Sequence, residues 1–150
     1  MPLRRLKHQT VKYLLDKPVT GTIGVEKFKA TLHWRNGVLV TDEPPKLGGQ
    51  DLGPDPYTLL LSSLVSCTLA TLRMYIDHKA LNIPDIFVEA NMFHRIEGEN
   101  TILCIERRID IGATQDEAVR DRLIHVAENC PVSKILKGNI RITTGFGKDE

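Results

Sequence analysis

The sequence predicts an α+β fold, with antiparallel strands on either side in sequence of one long apolar helix. Two observations carry this reading. Runs of alternating apolar and polar residues flank a single uncharged stretch, Pro56 to Leu72, that is too long and too evenly apolar to be a strand. The turn signals between those runs, Asn36-Gly37 and Gly98-Glu99-Asn100, are of the kind that joins antiparallel hairpins.

The N-terminal strands are expected over 10–42. Val11, Tyr13 and Leu15 alternate with polar or weaker neighbours, and Val19 to Val25 is rich in Val, Thr, Ile and Gly. Phe28, Ala30 and Leu32 alternate with Lys29, Thr31 and His33, and Asn36-Gly37 then leads into Val38-Leu39-Val40. Residues 43–55 form a loop, because Pro44, Pro45, Gly48, Gly49, Gly53 and Pro54 oppose a regular element. Loops of this length inside compact domains are often functional.

Asp55 is a good N-cap and Pro56 suits the first helical position, so the central helix is expected over 56–80, ended by Asn82-Ile83-Pro84. Leu60, Leu64, Cys67 and Met74 share one face, while Leu61, Leu69, Leu72 and Ile76 fill the others. A helix apolar all round is buried all round, and a chain of 150 residues offers it little cover. A homodimer that sandwiches the helix solves the problem. The uncharged stretch is shorter than a usual bilayer span and carries hydroxyls such as Ser62, Ser63 and Thr68. Met1 to His8 is charged without a following apolar run, so a soluble, cytoplasmic protein is expected.

A strand pair follows over 85–112. Ile86, Val88, Ala90 and Met92 alternate with polar neighbours, as do Leu103, Ile105, Arg107, Ile109 and Ile111. The second helix is expected over 115–136, opened by the capping box Thr114-Gln115-Asp116-Glu117 and interrupted at Pro131. A last strand over 139–145 precedes a charged tail, and the whole of 1–150 reads as one domain.

Composition narrows the function classes. Twenty basic and nineteen acidic side chains give a net charge of +1, with no field to draw in nucleic acid or acidic lipid. The Arg4-Arg5-Lys7 cluster is expected to be a solvated terminus. Three cysteines are too few, and an odd number, for a disulfide-stapled secreted domain, which suggests free thiols in a reducing compartment. The five histidines are dispersed and no CxxC or HxxxH pair occurs, so no metal site is expected.

The cysteines stand in different settings. Cys67 lies mid-helix, where a thiol is either packing or a nucleophile. Cys130 precedes Pro131, which makes it the N-cap of a short helix through Leu136; unpaired N–H groups there favour a thiolate, although a cap can also be inert. His125, five residues earlier, is placed either to polarise that thiol or in solvent. Cys104 falls on the polar side of its strand and reads as incidental.

Two blocks carry a family resemblance. Leu47-Gly48-Gly49 with Gly53-Pro54-Asp55-Pro56-Tyr57, running into Leu59 through Thr68, resembles the OsmC/Ohr family of thiol proteins. Ala127-Glu128-Asn129-Cys130-Pro131-Val132-Ser133 is similar to that family's second cysteine motif. The resemblance implies an intertwined homodimer with an active site at its interface. It also implies that Cys67 is the peroxidatic thiol, attacking an organic hydroperoxide, and that Cys130 is the resolving thiol. A dithiol such as a lipoylated protein would be the reductant, with no metal, haem or flavin. Tyr57, Leu60, Leu64, Met74 and Arg35 would line the substrate site. The family's activating glutamate has Tyr57 in its place here, and its arginine falls near Thr31, with Lys29 and Arg35 the closest bases. Arg73 is turned away from the Cys67 side of the helix. The alternative is a non-enzymatic dimer that binds a small apolar ligand or senses redox state.

Overall fold

Three strands build the N-terminal unit of the chain, which ends at Pro56: β1 (Thr20–Ile23), β2 (Ala30–Trp34) and β3 (Gly37–Thr41), paired antiparallel in the order β1-β2-β3. This computed structural model describes residues 11–112 and 116–147. The basic segment at Arg4, Arg5 and Lys7, Thr10, the Thr114-Gln115 half of the expected capping box, and residues 148–150 of the charged tail lie outside them.

The expected strand at Val11–Leu15 does not form, and these side chains are exposed. β1 pairs with β2 over its whole length, from Ile23↔Ala30 to Thr20↔His33, which leaves only Trp34 of β2 before the turn. Residues before Thr20 therefore have no strand opposite them. The β2–β3 turn is Arg35-Asn36, one residue earlier than the Asn-Gly signal implied, because Trp34 pairs with Gly37. Gly37 is required for space: a Cβ there would collide with the Trp34 indole.

The loop over 43–55 is regular only in a 3-10 turn, Pro45–Leu47, closed by Gly48 at φ +96. It is folded around Asp42, whose side chain is buried at the end of β3. The carboxylate accepts the backbone N–H groups of Phe28 (3.2 Å), Glu43 (2.8 Å), Gln50 (3.1 Å) and Leu52 (3.3 Å). Desolvation pushes the carboxyl pKa up, but these N–H groups outweigh it and hold the pKa below the usual range.

The second unit, from Tyr57 onward, contains α1 (Pro56–His78, whose first residue closes the first unit), β4 (Phe87–Glu97), β5 (Asn100–Asp110), α2 (Glu117–Glu128) and α3 (Pro131–Lys137). α1 stops two residues short of the expected end. Ala80 takes a left-handed φ of +51, and the Leu81 N–H reaches back to the Ile76 carbonyl at 3.0 Å, a Schellman-type stop. β4 and β5 form a long hairpin whose turn is Gly98-Glu99, with Gly98 at φ +62.

The core of this unit is Leu72 and Ile76 of α1, Ile83, Val88 of β4, and Leu123 and Ala127 of α2. On α1 the buried stripe is Leu64, Thr68, Leu72 and Ile76. Burial of the helix on every side is not found: Tyr57, Leu60 and Met74 are exposed, because the hairpin and α2 cover only one flank. An 18-residue window of the 23-residue α1 has a mean hydropathy of 1.6, enough by length and composition alone to cross a membrane. Its buried stripe belongs to the core with β4 and α2.

The helix expected over 115–136 is two helices. Asp116 caps α2 by accepting from the Val119 N–H at 2.8 Å, and Pro131 starts α3 afresh. The expected last strand over 139–145 does not form. Residues 139–147 have no strand beside them among the described residues, and Ile140, Ile142 and Phe146 are exposed.

Asp42→Ala leaves several loop N–H groups without an acceptor. Amide exchange at Gln50 and Leu52 is expected to rise by about tenfold, as for buried donors left unpaired. In the wild-type chain the same loosening is expected as pH falls below about 4, since a carboxyl with a depressed pKa loses its contribution on protonation. Hydrogen exchange followed by mass spectrometry checks both.

Candidate active site

The core stripe of α1 and the inward row of β5 each contain one polar interruption, Thr68 and Arg107. They meet. Arg107 follows Leu103 and Ile105 on the same face of β5 and stands opposite the small Ala90. Its Nη1 donates to Thr68 Oγ1 at 2.9 Å and to Ser133 Oγ at 2.8 Å, and lies 4.0 Å from Cys130 Sγ. Thr68 in turn donates its hydroxyl to the Leu64 carbonyl at 2.7 Å, which turns its lone pairs towards the arginine.

Cys130 is at the N-cap of α3, as its place before Pro131 predicts, and its side chain is 0% exposed. Its sulfur accepts from the Ser133 N–H at 3.4 Å and lies 2.9 Å from Ser133 Oγ. Thr68 Oγ1 stands 3.9 Å away, and the Cys67 thiol, on the preceding residue of α1, is close enough to help lower the Cys130 pKa. Burial pushes the Cys130 thiol up. The side-chain and backbone hydrogen bonds of Ser133, with those of Cys67 and Thr68, outweigh it and bring the pKa down to about 7.

Ser133 Oγ has one hydrogen and two acceptors in reach, Cys130 Sγ at 2.9 Å and the Ala127 carbonyl at 3.2 Å. Opposite an ionised Cys130 it turns that hydrogen to sulfur. Opposite a protonated Cys130 it accepts from the thiol and donates to Ala127. The pocket therefore satisfies both protonation states of Cys130.

Cys67 and Cys130 are thus neighbours, both as free thiols. Of the other residues singled out from the sequence, Leu64 is buried and lines a cavity of about 250 Å³ that Arg107 and Ser133 also line. Leu60 is partly covered, whereas Tyr57 and Met74 are 70% and 71% exposed. The buried stripe steps through Leu64, Thr68, Leu72 and Ile76, so Met74 falls beyond its edge. Arg35 belongs to the other unit, in the β2–β3 turn, where it lines a small cavity with Trp34 and Leu15. Arg73 is committed elsewhere, to Asp77 at 3.2 Å and the Ile83 and Pro84 carbonyls. His125 is exposed and takes part only through its carbonyl, which accepts from Asn129. Cys104 sits on the opposite face of β5 from Arg107.

Thr68, Arg107 and Ser133 were not singled out from the sequence. The one available signal was Arg107 itself, a charge in an otherwise apolar alternation.

A family model described as OsmC-like protein matches residues 48–145, about two thirds of the chain. The chain belongs to the OsmC family. Solved OsmC-family structures share its fold. An osmotic stress induced and detoxification response protein of Psychrobacter arcticus is 20% identical, with a TM-score of 0.66 over 87% of this chain and 91% of that one. An OsmC-like protein of Mycoplasma pneumoniae is 22% identical, with a TM-score of 0.66 over 83% and 90%. An organic hydroperoxide resistance protein of Legionella pneumophila is 18% identical, with a TM-score of 0.61 over 85% and 93%. Comparison with curated protein sequences gives no match. The match takes in Cys67, Cys130 and the later part of the loop that precedes α1, from residue 48.

Ser133→Ala removes the shortest contact to Cys130. The pH midpoint for alkylation of Cys130, read from its peptide by mass spectrometry, is expected to rise by about one unit from its value near 7. Because the folded thiol ionises more readily than the unfolded one, its stabilisation is fully present above about pH 8.5 and is lost as pH falls through about 7. Cys130→Ala is expected to flatten that rise in thermal melts taken across the same window.

Proposed function

We propose that this OsmC-family chain reduces organic hydroperoxides through Cys67 and Cys130 as part of oxidative-stress defence. The observation that carries the reading is the setting of Cys130, a buried thiol at the start of α3 beside Arg107, Ser133 and Thr68, with Cys67, the residue before Thr68, close enough to help lower its pKa. Transfer of the Cys67 proton to Cys130 places the anion on Cys67, which is the more exposed of the two. The Cys67 thiolate attacks the distal oxygen of the hydroperoxide, the O–O bond breaks, and an alcohol leaves. Cys67 is left as a sulfenic acid. Cys130 then displaces the sulfenic hydroxyl to form a disulfide, and a dithiol, a lipoylated protein in our reading, reopens it by exchange.

The wall of the 250 Å³ cavity supports an apolar substrate: Leu64, Leu103, Ile105 and Leu136 line it beside Arg107 and Ser133. The organic hydroperoxide resistance proteins of Legionella pneumophila and Vibrio cholerae share the fold, and the latter is described with captopril, a thiol compound by its chemistry, bound in one active site. We further propose that the chain works in the cytoplasm as one functional domain and as an intertwined homodimer. The exposed apolar side chains of α1, Leu60 and Met74 among them, supply a surface for the second copy.

Cys67→Ser is expected to lose all turnover of cumene hydroperoxide with dihydrolipoamide. Cys130→Ser is expected to form the sulfenic acid and then stall or over-oxidise. Consumption by the wild-type chain no faster than by Cys67→Ser overturns the peroxidase reading and leaves ligand binding by the dimer in its place. A dimedone adduct on Cys67, found by mass spectrometry, identifies the attacking thiol.

A further inference from the structure

Arg107 stands out among the arginines of the second unit. Arg73 pairs with Asp77, Arg95 with Glu97, and Arg108 with Glu89, all towards solvent. Arg107 points into the molecule and forms no ion pair among the described residues. Its side-chain contacts are Thr68 Oγ1, Ser133 Oγ and Cys130 Sγ. A half-buried cation without a carboxylate is costly unless another anion balances it. The group within 4.0 Å that can carry a negative charge is the Cys130 sulfur.

We propose that Arg107 is the positioning residue of disulfide closure, holding Cys130 as a thiolate aimed at the oxidised sulfur of Cys67. The inference rests on the thiol cycle proposed above and adds the group that drives its second step. Cys130 reacts as its thiolate, its proton passing to water, and the Ser133 hydroxyl donates to the resulting anion. The thiolate attacks the Cys67 sulfenic sulfur, and an S–S bond forms as the S–O bond breaks. The hydroxide leaves with the bonding pair and takes up a proton to become water. The Cys130 sulfur is oxidised and the Cys67 sulfur is reduced by the same amount. The oxidising equivalent comes from the organic hydroperoxide in the preceding step. Arg107 contributes in two ways. Its charge favours the thiolate, and its bonds to Thr68 on α1 and Ser133 on α3 hold together the two helices that carry the sulfurs.

Removing the cation raises the Cys130 pKa. Each unit of rise lowers the thiolate fraction about tenfold and returns about threefold in intrinsic nucleophilicity, a net loss of about threefold below neutrality. Above the raised pKa the fraction is restored and the more basic thiolate is the faster one. A purely structural role for Arg107 slows closure equally at every pH.

The experiment measures closure of the Cys67–Cys130 disulfide by quenched-flow mass spectrometry in wild type, Arg107→Met and Arg107→Lys. One arm uses a single equivalent of cumene hydroperoxide and the other uses diamide, which makes the disulfide without a peroxide. At pH 6, Arg107→Met is expected to close at least about threefold more slowly than wild type, to catch up or overtake it near pH 9, and to be partly rescued by Arg107→Lys. Equal rates and equal pH midpoints in the diamide arm, or a slowing that does not change with pH, overturn the proposal. Closure with diamide but not with hydroperoxide overturns the peroxidase reading instead. Arg107 is then still judged by the pH profile of the diamide arm.

Discussion

One hydrogen-bonded crossing, from Arg107 on β5 to Thr68 on α1 and Ser133 on α3, organises the second unit of this chain. It joins three elements at the point where two otherwise apolar surfaces are each broken by one polar side chain. Without Arg107, Thr68 is a hydroxyl spent on its own helix carbonyl, and Ser133 is an ordinary first-turn serine. With it, both oxygens face a shared cation, and the two sulfurs lie beside that network. A buried polar cluster of this kind is stable only if every member is satisfied. No buried side-chain polar atom among the described residues lacks a partner.

The elements legible in the sequence were those whose signals are local. Asp55-Pro56 located the start of α1, Gly98 the turn of the long hairpin, and Cys130-Pro131 the break between α2 and α3. The failures involved signals that depend on a neighbour. The alternation at Val11–Leu15 and the run over 139–145 had strand-like composition but lack a paired strand in the described chain. A strand is a relation between two segments, and one segment cannot show it. At the site, the two cysteines were legible because their settings differ along the chain. Arg107 was hidden because its role depends on the chain returning Cys130 to it from 23 positions further on.

The N-terminal unit solves a different problem by the same means. A loop over 43–55 rich in proline and glycine cannot satisfy its backbone through helix or sheet, so a buried carboxylate at Asp42 satisfies it. The glycines there make the arrangement possible. A Cβ at Gly49 would strike the backbone of Glu43, and one at Gly53 the backbone of Val40. The conformation of the segment entering α1 is thus set by one acid and two absent side chains.

Among the described residues no carboxylate pairs with Arg107, and this has an electrostatic consequence. In the dithiol state the guanidinium and the Cys130 thiolate cancel. In the disulfide of the proposed cycle the anion would be gone and the guanidinium would not, so oxidation would leave the pocket one charge more positive. A thiol reductant attacks as an anion, and on that cycle the pocket would attract it most strongly when there is a disulfide to open. The unbalanced arginine would then make the oxidised protein the form that recruits its own repair.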